Sequence, residues 1–229
     1  MKRLLYLLAL MPLLGLTSCG EFFEMGGEPD PWDGVTMKVL NDSCCVMVGD
    51  SMPLRAEFSP YTPNNSPIYW NTADTTYFKI LNDTLVARRE GNFKVTAIAG
   101  NGRLVDTCRV FVIDRWQIDR LEFSNPYDMV IYADITVDGE EWDDSTMTIA
   151  AFLDNDECVG IAEKREWKGI GYTVLRCWTW TEMYAGSITF KCYDRTRFRI
   201  FTADQSPEYD ALTTLGTLSD LYNIEFNCK

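Results

Sequence analysis

The chain contains no histidine in 229 residues. That absence removes the imidazole base of serine and cysteine hydrolases, and it removes imidazole as a metal ligand. Positive charge is also scarce, with 21 Lys and Arg against 34 Asp and Glu. A duplex-binding surface needs clustered cations to neutralise phosphates, and no such cluster occurs, so nucleic acid is not an expected partner. Past residue 16 there is no second long apolar run to span a bilayer. From Val35 to about Asp114 a long apolar pattern of 3.6-residue spacing is missing as well, which argues against helices in that segment. What remains is an acidic chain with globular hydrophobic and aromatic content, long enough for two domains of ordinary size.

The leader is informative. Lys2 and Arg3 precede an apolar run from Leu4 to Leu16, the length of a secretory h-region and too short to cross a membrane. Leu16-Thr17-Ser18-Cys19 follows and resembles a bacterial lipobox. The resemblance implies that residues 1–18 are a lipoprotein signal peptide and that Cys19 becomes a lipid-bearing N-terminus. Several acyl chains there would anchor the protein firmly, since each buried methylene adds about 0.8 kcal/mol. Residues 19–34 are rich in Gly, Pro and acid and read as a flexible tether. Gly20 stands where an Asp would match the enteric inner-membrane retention pattern. Glu21 and Glu24 resemble the acidic export signals of Bacteroidetes surface lipoproteins. These likenesses imply an outer-membrane, surface-exposed protein.

Residues 35–114 carry short alternating runs between turn residues, among them "VTMKVL", "PLRAEF", "FKVTAIA" and "CRVFVI". This is the pattern of a β-sandwich. The order of landmarks resembles a bacterial immunoglobulin-like group 2 (Big2) domain: Val48-Gly49-Asp50-Ser51, Ser59-Pro60, Tyr69-Trp70-Asn71, then Glu90-Gly91-Asn92-Phe93 and Val110-Phe111-Val112. The resemblance implies an Ig-like sandwich. Gly49 is expected at a tight bend, Trp70 at the sandwich centre, and Gly91 at the entry to the strand from Phe93. Pro53 and the Cys44-Cys45 pair depart from that pattern.

Residues 115–229 read as a second β-sandwich module, giving an all-β protein. Met129, Ile131, Ala133, Ile135 and Val137 alternate onto one face. "TIAAFLDNDECVGIA" reads as two strands around an acidic turn, and "GYTVLRCWTW" with "SITFKCYD" as a hairpin. "LGTLSDLY" is either a helical turn or a loop feeding the strand "NIEFNC". The elements Ile149-Ala150-Ala151-Phe152, Asp156-Glu157-Cys158 and Phe190-Lys191-Cys192-Tyr193-Asp194 resemble an accessory module of large Bacteroidetes surface proteins, which implies a sandwich without a firm activity.

With Cys19 committed to lipid, seven cysteines remain. An extracytoplasmic setting permits disulfides, and an odd count leaves one thiol over. In the expected hairpin Cys177 faces Cys192, which leaves Cys158 with Cys228. Cys108 is expected to meet Cys44 or Cys45 if the first and last strands pair. The alternative is buried free thiols.

The same hairpin register puts Leu175, Cys177, Ile188, Phe190 and Cys192 on a core face. It puts Arg176, Trp178 and Trp180 opposite Tyr193 and Lys191 on the other. Rings flanked by cations make a platform for sugar faces or a protein surface. Packing of the two tryptophans under a neighbouring segment is the competing reading. The acidic clusters 138–144 and 154–157 hold oxygen ligands of the kind Ca²⁺ takes, without EF-hand spacing. Asp also collects in turns for its own hydrogen bonding. No other cofactor is indicated. A carboxylate-based glycoside hydrolase needs two acids converging in a cleft, and the spacing displays none. Asp50-Ser51-Met52, Asp74-Thr75-Thr76, Asp83-Thr84-Leu85 and Asp144-Ser145-Thr146 resemble O-glycosylation triplets of Bacteroidetes exported proteins. The functional expectation is a non-catalytic adhesion, glycan-binding or complex-docking protein. A subunit of a carbohydrate-active enzyme system and a purely structural envelope component are the alternatives.

Overall fold

The computed structural model describes residues 30–73, 75–118, 127–179 and 184–228. The leader, Cys19, most of the tether, Asp74 and Trp180 lie outside the described residues. Among those described, the regular structure is β throughout apart from a three-residue 3₁₀ turn at Gly100–Gly102. The end of the segment read as a tether belongs to the fold. Trp32 packs edge-on against Phe58 at 6.0 Å, and Asp30 is ion-paired with Arg103.

The N-terminal strands are β1 (Thr36–Val39), β2 (Ser43–Met47), β3 (Ser51–Pro53), β4 (Ala56–Ser59), β5 (Tyr69–Thr72), β6 (Phe78–Leu81), β7 (Thr84–Ala87), β8 (Gly91–Ala99) and β9 (Leu104–Ile113). They form a sheet ordered β2-β9-β8-β5, a sheet ordered β3-β7-β6, and the pair β1-β4. Inward-facing residues of both sheets, including Val46, Met52, Phe78, Leu85, Val95 and Val110, make one core. Alternation drives this arrangement, because each strand can bury only every second side chain. Strand β2 runs parallel to β9 with Cys44 opposite Val110. Pro53 sits on the edge strand β3, where its missing N–H costs no ladder bond. Trp70 does not fill the centre as expected. It is half-buried at the flank, and Phe78 is the fully buried ring.

The C-terminal strands are β10 (Asp128–Val137), β11 (Glu140–Glu141), β12 (Met147–Phe152), β13 (Cys158–Trp167), β14 (Ile170–Trp178), β15 (Thr189–Asp194), β16 (Arg199–Thr202), β17 (Thr214–Leu215) and β18 (Tyr222–Phe226). Strand β10 pairs antiparallel with β14 and parallel with β18, and the five alternating residues from Met129 to Val137 are buried as expected. In "LGTLSDLY" Leu215 closes the short strand β17 and Tyr222 opens β18, with no helix between them. Strand β13 serves both faces of the sandwich: Ala150 and Ala151 of β12 pair with Ile161 and Gly160, and from Ala162 onward its partner is β14. At the crossing, a Cβ on Gly160 would lie 2.9 Å from the Cys177 sulfur and 3.1 Å from the Arg176 carbonyl oxygen, so a bare backbone is required.

One expectation is overturned here. Strands β14 and β15 do not form a hairpin. The hairpin is β13–β14, closed by Lys168 (φ 53°) and Gly169 (φ 80°), while β15 pairs with β12 and β16. Left-handed conformations at both central residues match the twist of the flanking strands, which makes this two-residue turn favourable.

The two cores touch. Phe198, in the turn between β15 and β16, is counted in the N-terminal core, and its carbonyl accepts the Cys45 amide at 2.7 Å. Asp50 receives Arg195 at 3.3 Å and Arg115 at 3.8 Å.

Candidate functional site

Register decides which side chains share a surface. In β10 the odd residues from Met129 to Val137 are buried, so Asp128, Val130, Tyr132 and Asp134 face outward. Tyr132 lies opposite Val174, Asp128 opposite Trp178, and Val130 opposite Arg176 on β14. Glu163 and Arg165 of β13 lie opposite Val174 and Tyr172, and Trp167 lies opposite Ile170. The outer face of β10-β14-β13 therefore carries Trp167, Tyr172, Tyr132 and Trp178 in sequence across the sheet. Arg165, Arg176, Glu163, Asp128 and Asp134 are interleaved with them.

The rings are held from the side. Tyr132 and Tyr172 sit 5.8 Å apart at 55°. The Arg176 guanidinium lies 4.9 Å over Trp178 and donates to Asp128 at 2.6 and 3.1 Å. Arg165 donates to Glu163 at 2.6 Å, and that bond raises its pKa further. Trp167 is 51% exposed and Ile170 58% exposed, with the Lys168 ammonium 4.2 Å over the indole. Two large apolar side chains thus project at the hairpin tip, where burial in the fold does not account for them. The Trp178 indole N–H is buried and has no hydrogen-bond partner among the described residues.

Beside this face a cleft of about 420 Å³ is lined by residues including Trp142, Lys164, Glu141 and Thr173. Trp142 donates to the Thr173 hydroxyl at 3.1 Å, and Lys164 pairs with Glu141 at 2.7 Å.

The opposite sheet has a different fate. Trp116 packs edge-on against Phe152 at 5.2 Å and against Tyr193 at 6.3 Å. Tyr193 is fully buried, and its hydroxyl accepts the Met47 amide at 3.2 Å. Burial pushes its phenol well above the ordinary tyrosine range. Lys191 lies 4.5 Å over Phe152 and is ion-paired with Asp156.

Of the five residues expected to form one platform, Arg176 and Trp178 share the open face. Lys191 and Tyr193 belong to the other sheet, and Trp180 lies outside the described residues. The expected set rested on a β14–β15 hairpin, and it separates because those strands enter different sheets. Trp167, Tyr172, Tyr132 and Arg165 were missed. Their signal was the outward parity of "VIYADI" and the Lys-Gly turn in "WKGI".

The seven described cysteines are free thiols in this structure. Cys177 lies opposite Met129 and Cys192 opposite Ile149, so the expected 177–192 opposition does not occur. Cys158 begins β13, whereas Cys228 follows Phe226, which pairs with Val137 at the far end of β10. Cys44 and Cys108 both face the N-terminal core, and Cys45, whose parity is opposite, turns away from it.

The acidic turns are self-satisfied at their best-placed member. Asp143 accepts from the Ser145 amide and hydroxyl at 2.9 and 2.7 Å, and these bonds hold its carboxyl below the usual range. Among the described residues, no three His, Cys, Asp or Glu side chains gather as a metal site.

No protein family profile matches the sequence, and no curated protein matches it. Solved structures do. Domains 4–9 of the surface layer protein SbsC match at 13% identity and TM-score 0.30, over 80% of this chain and 31% of that one. The N-terminal four Ig domains of Dscam1 isoform 4.4 match at 10% identity and TM-score 0.24, over 83% and 52%. The D1–D4 ectodomain fragment of ICAM-5 matches at 13% identity and TM-score 0.27, over 79% and 51%. The chain spans about a third to a half of these solved chains.

Proposed function

We propose that this is a non-catalytic contact protein of the bacterial cell envelope, and that the outer face of β10-β14-β13 is its glycan-binding surface. One observation carries the reading. The two sheets of the C-terminal core are treated unequally: Trp116 and Met47 cover one at Phe152 and Tyr193, while the other displays Trp167, Tyr172, Tyr132 and Trp178. The C–H face of a sugar ring stacks on such rings. Arg165, Arg176, Glu163 and Asp134 stand between them to receive hydroxyl groups.

In this proposal Cys19 carries the lipid, residues 20–29 lead away from an outer membrane, and the Big2-like segment 35–114 spaces the displayed sheet from it. Among the described residues no helix is long and apolar enough to cross a membrane. The anchoring half is tested by metabolic labelling with a tagged fatty acid. Label is expected on the wild type and lost in Cys19→Ser; an unlabelled wild type refutes it.

The binding half is tested by probing a bacterial and plant polysaccharide array with the full chain, with and without EDTA. Binding that survives EDTA and falls at least tenfold in W167A/Y172A, with an unchanged melting temperature, supports the reading. Turnover of a bound polysaccharide indicates the enzyme-subunit alternative. A silent array indicates a protein partner or a structural component.

A further inference from the structure

Cys192 and Cys228 approach the C-terminal core from different sheets. Cys192 lies on β15, fully buried, between Ile149 of β12 and Phe201 of β16. Cys228 stands two residues beyond Phe226, keeps its inward parity, and packs against the same core. Neither belongs to a strand pair that would hold the other at a fixed lateral distance, so the two side chains project into one layer from opposite walls.

The corner where they approach is tied down. Asp138 accepts the Cys228 amide on Oδ1 at 2.9 Å and the Arg197 guanidinium on Oδ2 at 2.9 Å. Arg197 reaches back to Asp194 at 3.5 Å, two residues from Cys192 on the same strand. This chain of contacts fixes the Cys228 backbone over the end of β15.

The competing partners are placed elsewhere. The Cys177 sulfur sits 2.9 Å from the point a Cβ on Gly160 would occupy, and Cys177 pairs with Met129. Phe226 pairs with Val137. Met129 and Val137 are separated by about 26 Å of extended strand. Cys158 lies at that same distant end, opposite Phe152.

From this geometry we infer that Cys192 and Cys228 form a disulfide that joins the two sheets across the core. Burial, followed by the neighbouring Cys228, pushes the Cys192 thiol up to about 12, which agrees with two thiols close enough to sense each other. The bond forms by exchange with an external disulfide donor. Cys228, the half-exposed thiol, loses its proton and attacks one donor sulfur, releasing one donor thiol. Cys192 then attacks the Cys228 sulfur of the mixed disulfide, loses its proton, and releases the second donor thiol. Two protons and two electrons pass from the pair to the donor. This inference is independent of what the aromatic face binds.

The test is peptide mapping of the full wild-type chain. Reduced protein is refolded in a glutathione and glutathione-disulfide mixture, then denatured, alkylated, and digested without reduction. The expected result is one linked species carrying Cys192 and Cys228, converted by reductant into two separate peptides. Alkylation of both cysteines in the refolded protein, or linkage of either to another cysteine, overturns the inference.

Discussion

The Tyr193 hydroxyl accepts the Met47 backbone amide at 3.2 Å, which ties a strand of one core to a strand of the other. The amide lies at the end of β2, and the phenol stands on the covered sheet beneath Trp116. Tyr193 thus acts as a joint between two bodies. Tyr193→Phe keeps the ring and strands the amide, so it should cost about 1–2 kcal/mol. Tyr193→Ala should cost about 3–5 kcal/mol through the cavity it leaves. Urea unfolding of the two variants checks both values, and equal losses would contradict the assigned role of the hydroxyl.

The buried thiols predict alkaline sensitivity in the reduced protein. Burial pushes Cys44 up to about 12, and Cys45 and Cys158 each up to about 11, from the ordinary thiol value near 9. A raised folded-state value means the folded chain keeps protons that the unfolded chain has already lost. The stabilisation is therefore complete below about pH 9 and is lost as pH climbs toward 11–12. Urea midpoints measured in reductant at pH 6.5, 7.5 and 10.5 should be equal for the first two and lower at the third. Cys45→Ala should show a shallower decline than the wild type.

How far the residues alone reach is clearest on β10. Its five alternating apolar residues announced one buried face, and the structure buries all five. Strict period two allows no other placement. The same string carried Tyr132 on the opposite parity, and only its neighbours in space give that tyrosine a role. Strand neighbours are long-range facts. β14 could pair with the strand before it or the strand after it, and the two choices move Lys191 and Tyr193 onto or off the surface of Trp178. The decisive local signal was the Lys168-Gly169 turn. Phe198 was beyond reach, because nothing in "TRFR" states that its ring enters a core built from residues more than eighty positions earlier.

Gly216 tests the parallel pairing on the far edge of β10. Its φ is 73°, and a Cβ there would lie 2.4 Å from the Tyr132 carbonyl oxygen and 2.8 Å from the Tyr222 amide nitrogen. Both contacts are backbone, so no side chain can rotate away. Gly216→Ala should cost about 1 kcal/mol for the left-handed backbone and more for the clash, at least about 3 kcal/mol in all. Hydrogen exchange should then rise in β17 and β18 before the rest of the sheet. Full protection there would show that the close approach is not required.

The two tryptophans of the open face should respond in opposite ways. Trp167 stands at the hairpin tip with half its surface in solvent, so Trp167→Ala should change stability by no more than about 0.5 kcal/mol. Trp178 is more covered, and Arg176 lies over its ring. Trp178→Phe removes an N–H that has no partner among the described residues, so the lost apolar area is offset by a relieved polar burial and the net change should stay under about 1 kcal/mol. Trp178→Ala should instead cost about 3 kcal/mol, since it empties the space beneath Arg176. For glycan binding the ranking reverses: Trp167→Ala should abolish the array signal while Trp178→Phe retains it, because a phenyl ring still offers a stacking face. Calorimetric melting beside array binding separates the two effects. A Trp167→Ala variant that melts early and binds normally would mean that the tip residue supports the fold and has no part in recognition.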